Sequence, residues 1–235
     1  MTAAITIQGV RKIFGDGDIA VHALKGVELA IDTGAFCAIA GPSGSGKTTL
    51  LNIVSGLESP TEGSVRIGTH DITAMGSADR SRFRQRHIGF VFQAYNLLPV
   101  LTAYENAEYV LMLQNVPKPE RQERVYAMLE RVGLQGMENR FPNQLSGGQQ
   151  QRVAIARAIV TKPDLVLADE PTANVDSKTA GALLDLMGTL NEEEKVTFLF
   201  SSHDPAVIKR SKELIILKDG EVHYRGAPPD DGALG

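Results

Sequence analysis

The chain opens with short stretches in which apolar and polar positions alternate, the period of a half-buried strand: Ile5-Thr6-Ile7, then residues 27–31 with Val27, Leu29 and Ile31 on one side. Residues 35–40 (AFCAIA) replace alternation with a continuous apolar run, which predicts a strand buried on both faces. A glycine-rich turn follows, and then a helix is predicted over 48–56. Strand, loop and helix in that order form a βαβ beginning. Shorter strands are predicted at 64–67 and 88–92. From Leu97 to about Val160 the apolar spacing lengthens to three and four residues, predicting helices over 102–113 and 120–132. The second carries Val125, Met128, Leu129 and Val132 on one face, and Val116-Pro117-Lys118-Pro119 separates the two. Strands return at 165–168, 197–201 and 214–217, with a helix over 177–190 between the first two. The pattern is an α/β sheet with an inserted helical lobe. Residues 226–235 (GAPPDDGALG) predict a disordered tail, and no internal repeat is present.

Composition narrows the setting. Hydrophobic residues are 43% and charged residues 22% of the 235, ordinary globular usage. Lys plus Arg is 24 and Asp plus Glu 28, a net charge of −4, which disfavours a nucleic-acid partner. The one cysteine, Cys37, is expected to be a small core residue and points to a reducing compartment. No apolar run reaches the ~18–20 residues that cross a bilayer, and the amino terminus lacks a leader pattern. The expectation is a soluble, cytoplasmic chain.

Three motifs carry chemistry. Residues 41–48 read GPSGSGKT, matching the phosphate-loop pattern between a strand and a helix. Gly41, Gly44 and Gly46 free the backbone to aim successive N–H groups at phosphate oxygens, with Pro42, Ser43 and Ser45 between them. Lys47 should reach the β- and γ-phosphates, the Thr48 hydroxyl should ligate Mg²⁺, and Thr49 continues the helix N-terminus. A glycine-rich turn that merely caps a helix is the plainer alternative. Second, LVLADE ends a buried strand in two carboxylates: Asp169 suits Mg²⁺ and Glu170 suits an attacking water. Third, Leu145 to Arg152 reads LSGGQQQR, with Ser146 as a helix N-cap and Gly147, Gly148 and Gln149 forming a second open helix start.

LSGGQ followed by LADEPT resembles the ATP-binding subunits of ABC transporters, over about residues 5–225. The resemblance implies a P-loop NTPase cassette with a RecA-like parallel-sheet core, an antiparallel β subdomain and a helical subdomain at about 94–160, all within one domain spanning 1–225. It implies ATP and Mg²⁺ as ligands and ATP hydrolysis as the activity. It also implies a second copy paired head to tail, and integral membrane subunits as partners at the inner face of the cell membrane. Residue by residue, Gln93 in FVFQ matches the Q-loop glutamine, which would touch Mg²⁺ with Thr48 and Asp169. Ala173-Asn174-Val175-Asp176 matches the D-loop, Asp176 linking two sites across the pair, and His203 matches the switch histidine on the γ-phosphate. Ser146 and the Gly147–Gln149 backbone would meet the ATP held by the other copy's Lys47. Phe14 sits where the family places an aromatic against adenine; it departs from the commoner Tyr, as Val175 departs from Leu. NLLPVLTAYEN and LADEPTANVD look most like the lipoprotein-releasing and macrolide-export (LolD- and MacB-like) branch. Cell-division regulators with similar blocks, and DNA-maintenance or translation ATPases of the same superfamily, are the competing classes.

The remaining features have plainer readings. His22, His70, His87 and His223 lack metal-ligand spacing and are taken as surface or packing residues. Arg80, Arg82, Arg84 and Arg86 read as a solvated face, with contact to a membrane subunit as the alternative. Glu192-Glu193-Glu194 reads as a solvated loop. Residues 94–109, with Tyr95, Leu97, Leu98, Pro99 and Tyr104, are either a partner groove or packing between lobes.

Overall fold

A computed structural model describes residues 3–229. The chain divides into two compact units: Met1–Arg82 with Thr197–Gly235, and Phe83–Val196.

The first unit contains an antiparallel sheet in the order β2-β1-β4-β5, built from β1 (Ala3–Phe14), β2 (Val21–Asp32), β4 (Glu62–Ile67) and β5 (His70–Asp71). The alternation at Ile5, Ile7, Val27, Leu29 and Ile31 buries one face, as the period predicts. Its second layer orders β10-β9-β3-β8: β3 (Phe36–Ala40), β8 (Thr197–Ser201), β9 (Glu213–Lys218) and β10 (Glu221–Gly226). β3 runs parallel to both β8 and β9, and every residue of β3 and β8 is buried. Phe36 anchors this layer, with ring centroids 5.5 Å from Phe198 and 4.9 Å from Phe200. Cys37 lies in that core, and burial raises its thiol pKa. α1 (Lys47–Val54) follows β3 directly. α7 (Pro205–Arg210), capped by Asp204, follows β8.

The second unit pairs β6 (Ile88–Val91) with β7 (Leu165–Asp169) in parallel. Its helices are α3 (Ala103–Leu113), α4 (Lys118–Arg131), α5 (Gly147–Ile159) and α6 (Ser177–Glu194). Each starts for a local reason: Thr102 and Glu105 form a capping box on α3, Pro119 sits in the first turn of α4, and Asp176 caps α6. α5 is the buried centre, with Val153, Ala154, Ile155 and Ala156 inaccessible and α3, α4 and α6 packed on it. Gly89 lets β6 approach α5, since a Cβ there would meet the Ala158 carbonyl oxygen at 2.3 Å.

One element is added and two sequence readings change. The arginine-rich stretch is a helix, α2 (Ser77–His87), with Asp79 in its first turn and Arg84, Arg86 and His87 in its last. These charges match its dipole, while Phe83 is its one buried side chain, so no apolar period announced it. The triple glutamate is not a solvated loop: it closes α6, and Arg131 bridges Glu193 (2.6 Å) and Glu194. Gly226 ends β10 and so belongs to a strand, whereas 230–235 of the expected tail lie outside the described residues. Among the described residues no helix is long and apolar enough to cross a membrane.

Candidate functional site

The first unit places the phosphate-loop residues where β3 ends. The loop packs against backbone: a Cβ on Gly41 would lie 2.0 Å from the Leu217 carbonyl oxygen, and one on Gly46 2.6 Å from that of Ala23. Gly46 caps α1 with φ 102°, a conformation open to glycine and strained for other residues. Gly46 offers no side-chain cap to α1 and no acidic residue occupies its first turn, so the positive end of the helix dipole suits an anion. Lys47 Nζ donates within its own loop to Gly41 O (2.8 Å) and Pro42 O (2.9 Å). The Ser45 hydroxyl is buried with no hydrogen-bond partner. A positive side chain held on weak neutral acceptors and an orphan hydroxyl, beside the positive end of a helix, fit a polyphosphate.

A cavity of about 380 Å³ is lined by Gly41, Pro42 and His203, together with Ala40, Ile208, Ile216 and Lys218. It brings the predicted histidine to the start of the phosphate loop. It also adds Lys218, a cation that sequence reasoning missed because it ends an otherwise ordinary strand. His203 is exposed just after β8, one residue before the Asp204 cap. Phe14 is 39% exposed at the end of β1, and Lys12 Nζ stands 4.9 Å from its ring centroid.

The second unit places the remaining predicted residues. Asp169 is the last residue of β7, and Glu170 turns the chain at φ 46°, a left-handed conformation that strains a non-glycine residue. Gln151, fully buried on α5, donates from Nε2 to Pro171 O (2.6 Å) and so pins that turn. Ser146 caps α5 as expected: its hydroxyl accepts from Gln149 N (3.3 Å), while Gln149 Oε1 accepts from Ser146 N (2.9 Å). Gly147 and Gly148 open the helix; a Cβ on Gly148 would lie 2.5 Å from Thr179 Cγ2. Asp176 caps α6 through Thr179 N (3.0 Å) and Thr179 Oγ1 (2.6 Å), and these bonds hold its carboxyl below the usual range. Gln93 is exposed after β6, its carbonyl accepting from Asn174 Nδ2 (2.8 Å). Gln93, Asn174, Tyr95 and Gly147 thus meet within this unit. No cluster of three or more His, Cys, Asp or Glu side chains suited to a metal occurs among the described residues.

A buried parallel strand that opens through a glycine-rich turn onto an uncapped helix, in a chain that also carries the LSGGQ helix and the LADE strand, defines an ATP-binding cassette. The family described as ABC transporter matches residues 24–173, and the chain belongs to that family. It is similar to the solved dimeric, post-hydrolysis structure of the ATP-binding cassette MJ0796 bound to ADP and Pi: 42% identity, a TM-score of 0.87, and coverage of 96% of this chain and 99% of that one. MJ0796 comes from Methanocaldococcus jannaschii. A lipoprotein-releasing system ATP-binding protein LolD of Legionella pneumophila is 42% identical over 94% of this chain and 97% of its own length. A macrolide export ATP-binding/permease protein MacB of Syntrophobacter fumaroxidans is 43% identical over 98% of this chain, which spans 32% of that relative. The protein is an ABC-type ATPase cassette that binds ATP.

Proposed function

We propose that this chain is the ATP-hydrolysing subunit of a membrane transporter of the lipoprotein-releasing or macrolide-export kind. Two copies pair head to tail around ATP and drive separate membrane-spanning subunits from the inner face of the membrane. The observation that carries the reading is the phosphate loop at the start of α1, with the buried Ser45 hydroxyl left without a partner inside it, in a chain that also carries LSGGQ at the start of α5. In this reading Phe14 stacks on adenine. Gly41, Pro42, Ser43, Gly44, Ser45, Gly46, Lys47, Thr48 and Thr49 hold the phosphates. Ser146, Gly147, Gly148 and Gln149 face the γ-phosphate bound by the other copy. Glu170 draws the proton of a water that attacks the γ-phosphorus in line as the bond to the β-phosphate oxygen breaks, giving ADP and phosphate. His203 holds the γ-phosphate and Asp176 joins the two sites.

Thr48, Gln93 and Asp169 are oxygen donors of the kind Mg²⁺ takes alongside substrate phosphates, a set that needs no all-protein cluster. Bound there, Mg²⁺ would neutralise charge on the β- and γ-phosphates.

The test is Glu170→Gln. Hydrolysis should fall by at least about a hundredfold, and size-exclusion chromatography with ATP should show a stable dimer that reverts to monomer when ATP is removed. A variant that hydrolyses at the wild-type rate removes Glu170 from the role. Co-purification with a membrane protein carrying a large periplasmic domain supports the transporter branch; a multi-span importer subunit overturns it and leaves the ATPase assignment standing.

A further inference from the structure

One hydrogen-bonded ring in the second unit has no role in the reading above. After β6 two consecutive non-glycine residues take the left-handed conformation, Tyr95 (φ 60°) and Asn96 (φ 48°), which asparagine tolerates and the tyrosine side chain disfavours. The guanidinium of Arg157, on α5, holds both: Nη2 donates to Tyr95 O (2.9 Å) and Nη1 to Asn96 O (2.6 Å). Burial lowers the arginine's pKa, so a partly desolvated cation is committed to this one turn. With its backbone fixed, Tyr95 donates its hydroxyl to Asn174 O (3.1 Å). Burial raises that hydroxyl's pKa, further favouring the protonated, donating form. Asn174 Nδ2 returns a bond to Gln93 O (2.8 Å) and closes the ring. The ring rests on the start of the signature helix, where a Cβ on Gly147 would lie 2.8 Å from Tyr95 Oη and 3.5 Å from Asn174 O. A side chain at 147 would therefore push the hydroxyl from its present place.

We propose that Tyr95 is a positioning residue of the ATPase reaction. Its hydroxyl latches the Gln93 loop to the turn leading into Asp176, against the first residue of α5, so the loop and the turn shift as one when ATP draws two copies together. The proposal rests on the paired-cassette reading. It needs the oxygen and not the ring, because phenylalanine fills the same space and cannot donate.

Steady-state phosphate release with ATP titrated into Tyr95→Phe tests it. The expected kcat is about three- to tenfold lower, the scale of one net hydrogen bond. KM for ATP should stay within about twofold, and the melting temperature within about 2 °C of the parent. Asn174→Ala, which cuts the return bond, should also lower kcat, and the double variant should lose no more than the worse single one. A wild-type kcat in Tyr95→Phe overturns the latch. So do additive losses in the double variant, or a lost kcat that tracks a fallen melting temperature. If wild-type protein neither hydrolyses ATP nor pairs, the paired-cassette reading fails first; if it does both and Tyr95→Phe matches it, the latch alone fails.

Discussion

Between β3 and α1 the chain turns on glycine at 41, 44 and 46, all with positive φ, whereas after β6 and β7 it turns on Tyr95, Asn96 and Glu170 in left-handed conformations. The first turn is held at its backbone: Ser45 N donates to Pro42 O, Gly220 N to Ser45 O, and Lys47 Nζ reaches back to two carbonyls. The turn after β6 is held by side chains from distant segments, Arg157 on Tyr95 and Asn96, and Asn174 on Gln93; after β7, Gln151 holds Pro171 beside Glu170. A glycine turn reaches positive φ without a side-chain partner to hold it there. A turn of ordinary residues keeps its shape only while its partners stay, which suits segments that must change together.

Substituting the glycines should produce the largest effect. Gly46→Ala adds a methyl 2.6 Å from Ala23 O and 2.9 Å from Leu24 Cδ2, so the turn cannot survive. ATP binding, measured with a fluorescent analogue, should weaken by about a hundredfold or more, the scale of several kcal/mol. Gly44→Ala is the control: φ is 79° but nothing lies within 4 Å of the new methyl. It should cost only about 1 kcal/mol of backbone strain. Equal losses at 44 and 46 would show that conformation, rather than close approach, decides this turn.

Next in size is Arg157→Met, which keeps the aliphatic stem and removes both donors. Two carbonyls of a strained pair lose a charged partner, and stability should fall by about 2–3 kcal/mol, read from the urea midpoint. Analogue binding by the glycine turn should change by less than about twofold. A chain as stable as the parent would mean that Tyr95 and Asn96 hold their conformation unaided, and the contrast between the turns would collapse.

Glu170 isolates strain from chemistry. Glu170→Gly and Glu170→Gln both remove the carboxylate, but only glycine is at ease at φ 46°. The glycine variant should be more stable than the glutamine variant by about 0.5–1 kcal/mol, while both lose hydrolysis. If the order is reversed, the turn at 170 stores no strain.

These differences explain what the sequence revealed. Glycine in a phosphate-loop pattern is visible as letters, and so are the periods that give β3, β7, β8 and α3 to α6 to within a few residues. LSGGQ and LADE were legible for the same reason, and Ser146 was legible as a cap. The helix α2 was not, because RSRFRQRH contains one buried residue and no apolar period. The left-handed turn at Glu170, the Arg157 clamp and Lys218 beside His203 left no trace either. Each depends on which distant segment the fold brings near, and single-residue propensities do not encode that.

The smallest expected effect uses pH to ask whether the second unit's reliance on ionisable side chains extends beyond its turns. In α3, Tyr104 donates to Glu108 Oε1 (3.1 Å), which also takes Arg121 Nε (2.8 Å). Burial, then the bond to Glu108, pushes the Tyr104 hydroxyl up to about 12. In the unfolded chain it titrates near the ordinary tyrosine value of about 10. Below that value both states are protonated and the contribution is complete. As pH rises between the two values the unfolded state gives up its proton first, so the contribution is lost progressively and is gone above about 12. The parent should therefore lose slightly more stability than Tyr104→Phe from pH 9.5 to 11.5, roughly the window these values set, followed by the urea midpoint. Because the hydroxyl is partly open to solvent, the difference should be well under the loss in Arg157→Met. Parallel curves for parent and variant would confine the dependence on side-chain partners to the turns at 95 and 170, with α3 held by packing alone.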